Sequence, residues 1–391
     1  MDGQGPRKDE EHRARRVLEG LLGVPATDGN LVDVLRNGDE IFPAMLEAIE
    51  QAEHTVDFCT YVYWSGDIAD RFATALSDRA RAGVRVRVLL DAVGAAQMSR
   101  TLIQQMEEAG CDVRWFREVK NTSPGGINRR THRKVLVCDE DIAFTGGVGI
   151  AEEWEGDARD PSEWRDTHFR VRGPAVDGLR AAFVSDWAET GAELFDEHDR
   201  FPEQPIPGPS TVQVVRCPSV IGWSEIATVV TALLRLAKER IHLTTAYFVP
   251  DEHMLKLLTD AAARGVHVDV LMPGEHTDKR IVQVAGEADY EALLEAGVNV
   301  WRYGPTMIHA KILTVDGLVA CVGSANYDPR SFGLNEEANL VVFDADLVDV
   351  LDGHFAEDLA RSDRVDPEEW SKRGLLQRAV ESVTQILDPQ L

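Results

Sequence analysis

Three residues that could do chemistry together occur twice in the chain: a histidine, a lysine two positions later, and an aspartate five positions beyond the lysine. They are His132, Lys134 and Asp139 in the first copy and His309, Lys311 and Asp316 in the second. Side chains two apart on a strand project from the same face, so each histidine and its lysine are predicted to share a site. The aspartates lie at an odd step from the lysines, and we interpret them as structural residues of the following turn rather than as proton carriers.

Two imidazoles and two ammonium groups are suited to the transfer of a phosphodiester. A neutral imidazole can attack phosphorus and form a phosphohistidine. A protonated imidazole can donate a proton to the leaving alcohol and then, as a base, activate the incoming water or alcohol. The ammonium groups can hold the non-bridging oxygens as negative charge grows on them. This chemistry requires no cofactor.

Two other interpretations of the histidines fit the pattern less well. A metal site is disfavoured, because a lysine on the same strand face repels a divalent cation and no carboxylate lies at ligand spacing. Burial as ordinary core residues would explain one histidine–lysine pair, but not the same pair in matching strands. We therefore predict a metal-free site that uses both copies.

Each copy is followed by a second strand and a loop of small residues. The loops are Gly146-Gly147-Val148-Gly149 and Gly323-Ser324-Ala325-Asn326. Glycine lets the backbone approach a ligand closely, and successive N–H groups can form an anion-binding nest. Gly147, Gly149 and Ser324 are therefore candidates for phosphate or substrate binding. The side chain of Asn326 is a candidate ligand of the phosphate oxygens.

The segments around these residues are also duplicated. DRARAGVRVRVLLD at 78–91 matches DAAARGVHVDVLMP at 260–273, and EEAGCDVRWF at 107–116 matches LEAGVNVWRY at 294–303. Apolar runs rich in β-branched residues alternate with helical patterns, which indicates a mixed, mostly parallel sheet flanked by helices. The predicted fold is α/β, with two tandem lobes related by a pseudo-twofold axis.

Composition suggests where the lobes begin and end. We predict a mobile charged arm, a first lobe, a Pro-rich linker, a second lobe and an amphipathic C-terminal helix, at residues 1–18, 19–199, 200–210, 211–365 and 366–391. The polar face of the last helix is not rich in Lys or Arg. Packing on the protein's own core is therefore favoured over docking on a membrane surface.

Charge and cysteine content narrow the classes of function. Lys and Arg number 41 and Asp and Glu 67, giving a formal net charge of −26, which disfavours nucleic acid as a partner and opposes general attraction to anionic membranes. The five cysteines form no C-x-x-C pair, so neither a zinc site nor a disulfide framework is indicated, and a reducing cytoplasm is expected. No apolar run has the length of a signal sequence core or a membrane span.

These motifs resemble the phospholipase D superfamily, and in particular bacterial cardiolipin synthases. The resemblance is carried by the two histidine–lysine–aspartate patterns, the Gly-Ser-Ala-Asn loop, Arg330-Ser331, Asn335 and Glu337. FTGGVGIAEEW and WRDTHFRVRGPAV in the first half are similar too. The likeness covers about residues 25–360.

The resemblance implies a two-lobed enzyme with one active site at the lobe interface and a metal-independent transfer in two steps. It assigns nucleophile and acid to His132 and His309, in an order that the sequence alone leaves open and that analogy favours as given. Lys134, Lys311 and Asn326 would be phosphate ligands, and Glu337 would fix a histidine tautomer. Superposing the repeats puts Asp166 at the place of Glu337. We predict the same role for it, against the alternative of a surface ion pair.

Some features around the site leave more than one interpretation. Gly149 stands where the family usually has Asn, so the first lobe supplies one amide fewer; this makes room for an acceptor or weakens catalysis. His168, two residues beyond Asp166, lines the site or packs, and packing is favoured. Five aromatic residues at strand ends either line a substrate channel or belong to the core: Tyr61, Tyr63, Trp64, Tyr247 and Phe248.

The function predicted is a phosphatidyltransferase that joins a phosphatidyl group to a second lipid, with a phospholipid such as phosphatidylglycerol as substrate. The alternative is a phospholipase D or other phosphodiesterase, in which water replaces the acceptor. A nuclease is disfavoured by the charge, and an inactive scaffold by the two intact motifs. Many cardiolipin synthases carry N-terminal transmembrane helices, and this sequence shows none. A cytoplasmic enzyme with peripheral contact at the inner face of the membrane is expected; the oligomeric state is open.

Overall fold

The computed structural model describes residues 5–118, 128–217 and 224–372. Strands of the first half are β1 (Thr27–Arg36), β2 (Thr55–Thr60), β3 (Arg85–Asp91), β4 (Asp112–Phe116), β5 (Val135–Cys138), β6 (Ile142–Gly146) and β7 (Thr167–Arg172). The helices are Gly5–Leu22, Asn37–Gln51, Asp67–Arg81, Arg100–Ala109 and Ala175–Glu189, with a 3₁₀ turn at Glu152–Trp154.

The second half repeats this order. Its strands are β8 (Ser210–Cys217), β9 (Arg240–Thr244), β10 (His267–Pro273), β11 (Asn299–Tyr303), β12 (Ile312–Val315), β13 (Val319–Gly323), β14 (Glu337–Phe343) and β15 (Ser362–Arg364). Its helices are Glu225–Leu236, Glu252–Ala263, Arg280–Glu287, Tyr290–Glu295, Pro329–Gly333, Ala345–Leu359 and Pro367–Ser371.

All these strands join in one sheet. Its order is β15-β11-β10-β9-β12-β13-β14-β8-β1-β7-β6-β5-β2-β3-β4. Apart from the added edge strand β15, the order reads the same outward from the antiparallel β1–β8 pair in both directions. The predicted pseudo-twofold arrangement is therefore present, with the two lobes sharing a continuous sheet.

The prediction of mostly parallel strands was wrong. Only the pairs β2–β3, β3–β4, β9–β10 and β10–β11 are parallel, and the other ladders of the described sheet are antiparallel. Parallel neighbours need a long crossover, whereas β5 connects to β6, and β12 to β13, through short turns that fold the chain straight back. The apolar runs predicted buried strands correctly, but they carry no information on direction.

Helices cover both faces of the sheet. Along β5, Leu136 and Cys138 belong to one apolar cluster and Val135 and Val137 to another, as the alternation of a strand requires. The second cluster lies under Ala175–Glu189 and Ala345–Leu359 and contains residues of both halves. This shared core fixes the halves against each other.

The predicted mobile arm is corrected for the residues described. Gly5–Leu22 is a helix, and Ala14 and Leu18 are buried in the core cluster that also contains the helix Glu225–Leu236. The physical reason is an apolar stripe at helical spacing, which also includes Val17 and Leu22, on a segment that is otherwise strongly charged.

The predicted linker and the predicted C-terminal helix can be located only in part among the described residues. Residues 201–209 have no regular secondary structure, and Ser210 already begins β8. Of the predicted C-terminal helix, Pro367–Ser371 is helical and Trp370 packs on Tyr290 with ring centroids 5.1 Å apart; residues 373–391 lie outside the described part. Across the described ranges, every helix falls short of the length and apolar character needed to cross a bilayer.

Candidate active site

Two short backbone bridges cross between the halves and set the positions of the site residues. Glu336 N–H donates to Arg130 O at 2.8 Å, and His132 N–H donates to Glu336 O at 2.9 Å. The matching bridge has Arg165 N–H donating to Met307 O at 2.9 Å and His309 N–H donating to Arg165 O at 2.7 Å. Each histidine thus lies beside the residue that precedes the carboxylate of the opposite half.

Glu337 holds His132 across this seam. The Nδ1 atom of His132 lies 3.0 Å and 3.1 Å from the two carboxylate oxygens. Ser324 Oγ donates to Oε2 at 2.5 Å, and Asn335 Nδ2 approaches Oε1 at 3.4 Å. A carboxylate at Nδ1 favours the tautomer with its proton there, which leaves the Nε2 lone pair free to react.

Asp166 holds His309 in the same way. His309 Nδ1 lies 2.9 Å from Asp166 Oδ2, and the indole Nε1–H of Trp154 donates to that oxygen at 2.9 Å. The backbone N–H of Thr167 donates to Oδ1 at 2.7 Å. Asp166 is fully buried, so it is not the surface ion-pair residue of the alternative interpretation.

The two lysines turn back onto their own histidines. Lys134 Nζ donates to His132 O at 2.9 Å, and Lys311 Nζ donates to His309 O at 2.6 Å. Lys311 Nζ also lies 3.0 Å and 3.1 Å from the ring nitrogens of His309. Both lysines are buried, which makes their charge available to an anion at close range.

Burial shifts the pKa of every titrating group in this cluster. It lowers the pKa of His132 to about 4 and that of His309 to about 3, with the neighbouring lysines lowering both further against the attraction of the carboxylates. Burial also lowers the pKa of Lys134 to about 8 and that of Lys311 to about 7. In the free protein at neutral pH both imidazoles are therefore neutral.

The carboxylates shift the other way from what burial alone would produce. Burial raises the pKa of Asp166, but the hydrogen bond and charge of His309 and the charge of Lys311 more than offset this and bring it to about 2. The pKa of Glu337 falls to about 2 through the corresponding interactions with His132, Lys134 and Ser324. Both groups stay ionised as hydrogen-bond acceptors.

The aspartates that complete each pattern lie at the far end of their strands. Asp139 accepts hydrogen bonds from the N–H groups of residues 53–55 at 2.7–2.9 Å. Asp316 accepts from those of residues 238–240 at 2.8–2.9 Å. Both have left-handed backbone, with φ of 53° and 55°. They connect the β5–β6 and β12–β13 turns to the starts of β2 and β9.

The small-residue loops make room for the carboxylates. A Cβ on Gly147 would lie 2.3 Å from Asp166 Oδ1. A Cβ on Gly149 would lie 2.7 Å from Val62 Cβ and 3.2 Å from the Trp154 ring. The place of an asparagine in the first half is therefore taken up by Val62 and Trp154. In the second half, Asn326 keeps its amide at the edge of the cavity described next.

A cavity of about 190 Å³ opens beside His132. Of the aromatic residues flagged in the sequence, Tyr61 and Tyr247 line it, while Tyr63 and Phe248 are buried in the core and Trp64 packs against Trp154. The rest of the lining consists of Val249, Lys279, Val282, Asn326, Asp328, Pro329, Arg330, Ser331, Leu334 and Asn335. His168 is 1% exposed and packs against Gly146.

Two residues near the site were missed at the sequence level. Trp154 contacts His309, with ring centroids 5.2 Å apart, besides its bond to Asp166, and Trp164 lies 5.5 Å from the same ring. The signal was available for Trp154. The first half lacks both the Ser and the Asn of the second-half loop, so another donor had to reach Asp166.

Two buried arginines next to the site residues anchor the seam. Arg133 pairs with Asp186 at 2.5 Å and donates to Glu337 O at 3.2 Å. Arg165 pairs with Asp358 at 2.9 Å and donates to Asp166 O at 2.6 Å. Within the described ranges, no cluster of three or more His, Cys, Asp or Glu is arranged to hold a metal ion.

Known proteins share both the sequence and the fold. A family model described as cardiolipin synthase, PLD-like domain, matches residues 45–153 and 230–359. A cardiolipin synthase of Geobacillus sp. (strain WCH70) is 37% identical, over 92% of this chain and 72% of that protein. Cardiolipin synthase 1 of Bacillus anthracis is 33% identical, over 99% and 77%. Phosphatidylserine synthase of Haemophilus influenzae Rd KW20 shares the fold with a TM-score of 0.68 at 16% identity, covering 98% of this chain and all of the other.

The two matched segments contain both histidine–lysine pairs and both hairpins, together with Asn326 and Glu337, whereas Asp166 lies beyond the end of the first segment. The chain belongs to the cardiolipin synthase family of phospholipase D-like proteins.

Proposed function

We propose that this protein is a phosphatidyltransferase that moves a phosphatidyl group from one phosphatidylglycerol to a hydroxyl of another, forming cardiolipin and releasing glycerol. The observation that carries the proposal is the crossed arrangement of the site: each histidine is fixed at Nδ1 by a carboxylate of the opposite half. Two matched imidazoles, with Nε2 of His132 free to attack, and two lysines beside them suit a phosphodiester that is attacked on one side and protonated on the other.

In the first step, Nε2 of the nucleophilic histidine forms a bond to phosphorus. The bond between phosphorus and the glycerol oxygen breaks, and that oxygen takes a proton from the other histidine as it leaves. The products are a phosphatidyl-histidine and free glycerol. Following the family analogy, we assign the attack to His132 and the proton to His309.

In the second step, the hydroxyl of the acceptor lipid gives its proton to His309 and attacks the same phosphorus. The bond to His132 Nε2 breaks and the imidazole returns to its neutral form. No oxidant, reductant or metal ion enters the balance. Lys134, Lys311 and the amide of Asn326 would hold the non-bridging oxygens in both transition states.

The acid histidine must gain a proton before the first step. The anionic phosphodiester supplies the condition for this, since a negative charge beside the imidazole raises its pKa from the low value of the free site. The neutral nucleophile needs no such change. Both histidines are neutral in the free protein, and the one that gains this proton acts as the acid.

Hydrolysis is the second candidate, because water can replace the acceptor hydroxyl at the same intermediate. The cavity beside His132, with its tyrosines and aliphatic residues, favours an organic acceptor over bulk water. A nuclease fits less well, since a net charge of −26 opposes the approach of a polyanion.

The setting proposed for the reaction is the cytoplasmic face of a membrane, where the protein binds peripherally. Five free, buried cysteines agree with a reducing compartment. The protein would contact the anionic membrane surface with the end of the sheet that holds the site. The carboxyl ends of β2, β3, β9 and β10 lie at this end.

The test uses purified protein and phosphatidylglycerol vesicles, with products followed by mass spectrometry. Cardiolipin and glycerol in equal amounts support transfer, whereas phosphatidic acid alone would assign the protein to hydrolysis. His132→Ala and His309→Ala should each lower the rate by at least about 10³-fold. A phosphatidyl adduct that accumulates on His132 in the His309→Ala variant supports the assignment of the nucleophile, and one on His309 in His132→Ala reverses it.

A further inference from the structure

Two cationic side chains line the cavity beside His132 without belonging to the histidine–lysine pairs. They are Lys279, exposed in the loop after β10, and Arg330, half-buried in the short helix Pro329–Gly333. Lys279 Nζ lies 4.9 Å from the centre of the Tyr247 ring. Arg330 donates to Asn128 Oδ1 at 2.7 Å and to its carbonyl at 3.1 Å.

Neither cation has a carboxylate partner within 4.0 Å among residues 5–118, 128–217 and 224–372. This is unusual in a chain that has an excess of 26 negative charges and whose buried arginines are ion-paired, as in Arg133–Asp186. The lining of this cavity holds these two cations against one carboxylate, Asp328, so its balance of charge is positive inside an acidic protein. Such a place suits an anionic group of a ligand.

The wall of this cavity also has an unused acceptor. Asn335 directs its Nδ2 at Glu337, which orients the amide, and its Oδ1 is buried with no hydrogen-bond partner in the described chain. A buried carbonyl without a donor is costly unless a ligand supplies one. A hydroxyl group would do so.

We propose that this cavity binds the head group of the acceptor lipid, with its phosphate on Lys279 and Arg330 and a hydroxyl on Asn335 Oδ1. This rests on the proposed transfer function and adds its specificity. The phosphate being transferred is held by Lys134, Lys311 and Asn326, so a second set of cations is required only if the acceptor itself carries a phosphate. Water and simple alcohols carry none.

The experiment lets two acceptors compete for one intermediate. Phosphatidylglycerol vesicles are incubated with the protein in the presence of ethanol, and cardiolipin and phosphatidylethanol are quantified together. In Lys279→Gln and Arg330→Gln the ratio of cardiolipin to phosphatidylethanol should fall about tenfold each, and further in the double variant. Lys256→Gln, which removes an exposed lysine on the helix Glu252–Ala263, is the matched control and should keep the ratio of the parent.

Asn128→Ala separates charge from loop anchoring, because it removes the side-chain acceptor of Arg330 but leaves the backbone acceptor and the guanidinium. It should lower the ratio less than Arg330→Gln does. Equal losses of both products in Lys279→Gln and Arg330→Gln would overturn the proposal, since the cations would then serve the donor or the chemistry. An unchanged ratio would overturn it as well. If the parent protein makes phosphatidylethanol but no cardiolipin, the phosphatidyl group is transferred but a lipid is not its acceptor, and the proposed function is then wrong.

Discussion

The two carboxylates of the site occupy matching positions and hold their histidines by different means. In the second half, Glu337 is fixed by the hydroxyl of Ser324. In the first half, the shorter Asp166 is fixed by the indole N–H of Trp154, and Gly147 stands where Ser324 would be. Duplication has preserved the carboxylate–imidazole bond and not the residues around it.

The same comparison explains Gly149. An asparagine there would overlap Val62 and the ring of Trp154, the residue that supplies the donor to Asp166. The indole of Trp154 therefore occupies part of the space that an amide side chain at residue 149 would need. It makes the two ends of the site chemically unequal, which a reaction with distinct nucleophile and acid can use.

The largest effect is expected when either carboxylate becomes an amide. Asp166→Asn and Glu337→Gln keep the shape but can present an N–H to the histidine Nδ1, which favours the wrong tautomer. We expect kcat to fall by about 10³-fold or more in each. Steady-state transfer assays measure this, and a thermal melt confirms folding. If one variant keeps most of its activity, the two halves do not depend equally on their carboxylates.

Alanine substitutions at the two matching loop positions, Gly147 and Ser324, should have unequal effects. Gly147→Ala puts a Cβ 2.3 Å from Asp166 Oδ1 and displaces the carboxylate from His309, so we expect a loss of about 10²-fold in kcat. Ser324→Ala leaves an existing Cβ and removes one hydrogen bond to Glu337, for a loss of about tenfold. Equal losses would contradict the view that Gly147 is required for close approach.

The alkaline side of the pH profile should distinguish the lysines. As pH rises through about 7, Lys311 loses its proton in the free protein, because burial lowers its pKa more than Asp166 raises it; Lys134 follows at about 8. If the ammonium form binds phosphate, kcat/KM falls above pH 7, by about tenfold at pH 8. Arginine keeps its charge over this pH range. The kcat/KM of Lys311→Arg should therefore begin to fall at a higher pH than that of Lys134→Arg. If the fall in kcat/KM stays at the same pH in Lys311→Arg, a group other than Lys311 causes it.

The smallest effect on activity, with a clear effect on stability, is expected when Gly149 is replaced by asparagine, the residue at the matching position 326 of the second half. Gly149→Asn should lower the free energy of unfolding by about 1–3 kcal/mol, because its side chain overlaps Val62 and Trp154. Adding Val62→Ala opens space and should recover part of the loss in a denaturant melt. A stable single variant would mean that Gly149 is not required by packing.

Much of the fold and site followed from the repeated sequence. The duplicated strands predicted the lobes and their pseudo-symmetry, and superposing WRDTHF on NEEANL predicted that Asp166 matches Glu337. The sequence could not tell which carboxylate meets which histidine. Those contacts join residues 143 and 205 positions apart, and they depend on how the halves meet.

The remaining differences have similar physical causes. Strand direction was missed because apolar runs look alike in parallel and antiparallel strands, and only the short turn at Asp139 carries the signal. The helix Gly5–Leu22 was missed because its charged residues outnumber a narrow stripe that includes Ala14 and Leu18. Trp154 was missed because its indole donates to Asp166 in place of a side-chain donor, which Gly147 does not have.

The crossed carboxylates also bear on how the protein is made. Ribosomes deliver the first half before the second, and domains tend to fold as they emerge. A nascent chain that has folded only its first half would hold His132 without Glu337, and would carry Asp166 with no imidazole to orient. Until residue 337 has emerged and the halves have closed, His132 has no carboxylate to orient it, so an incomplete chain lacks a complete site.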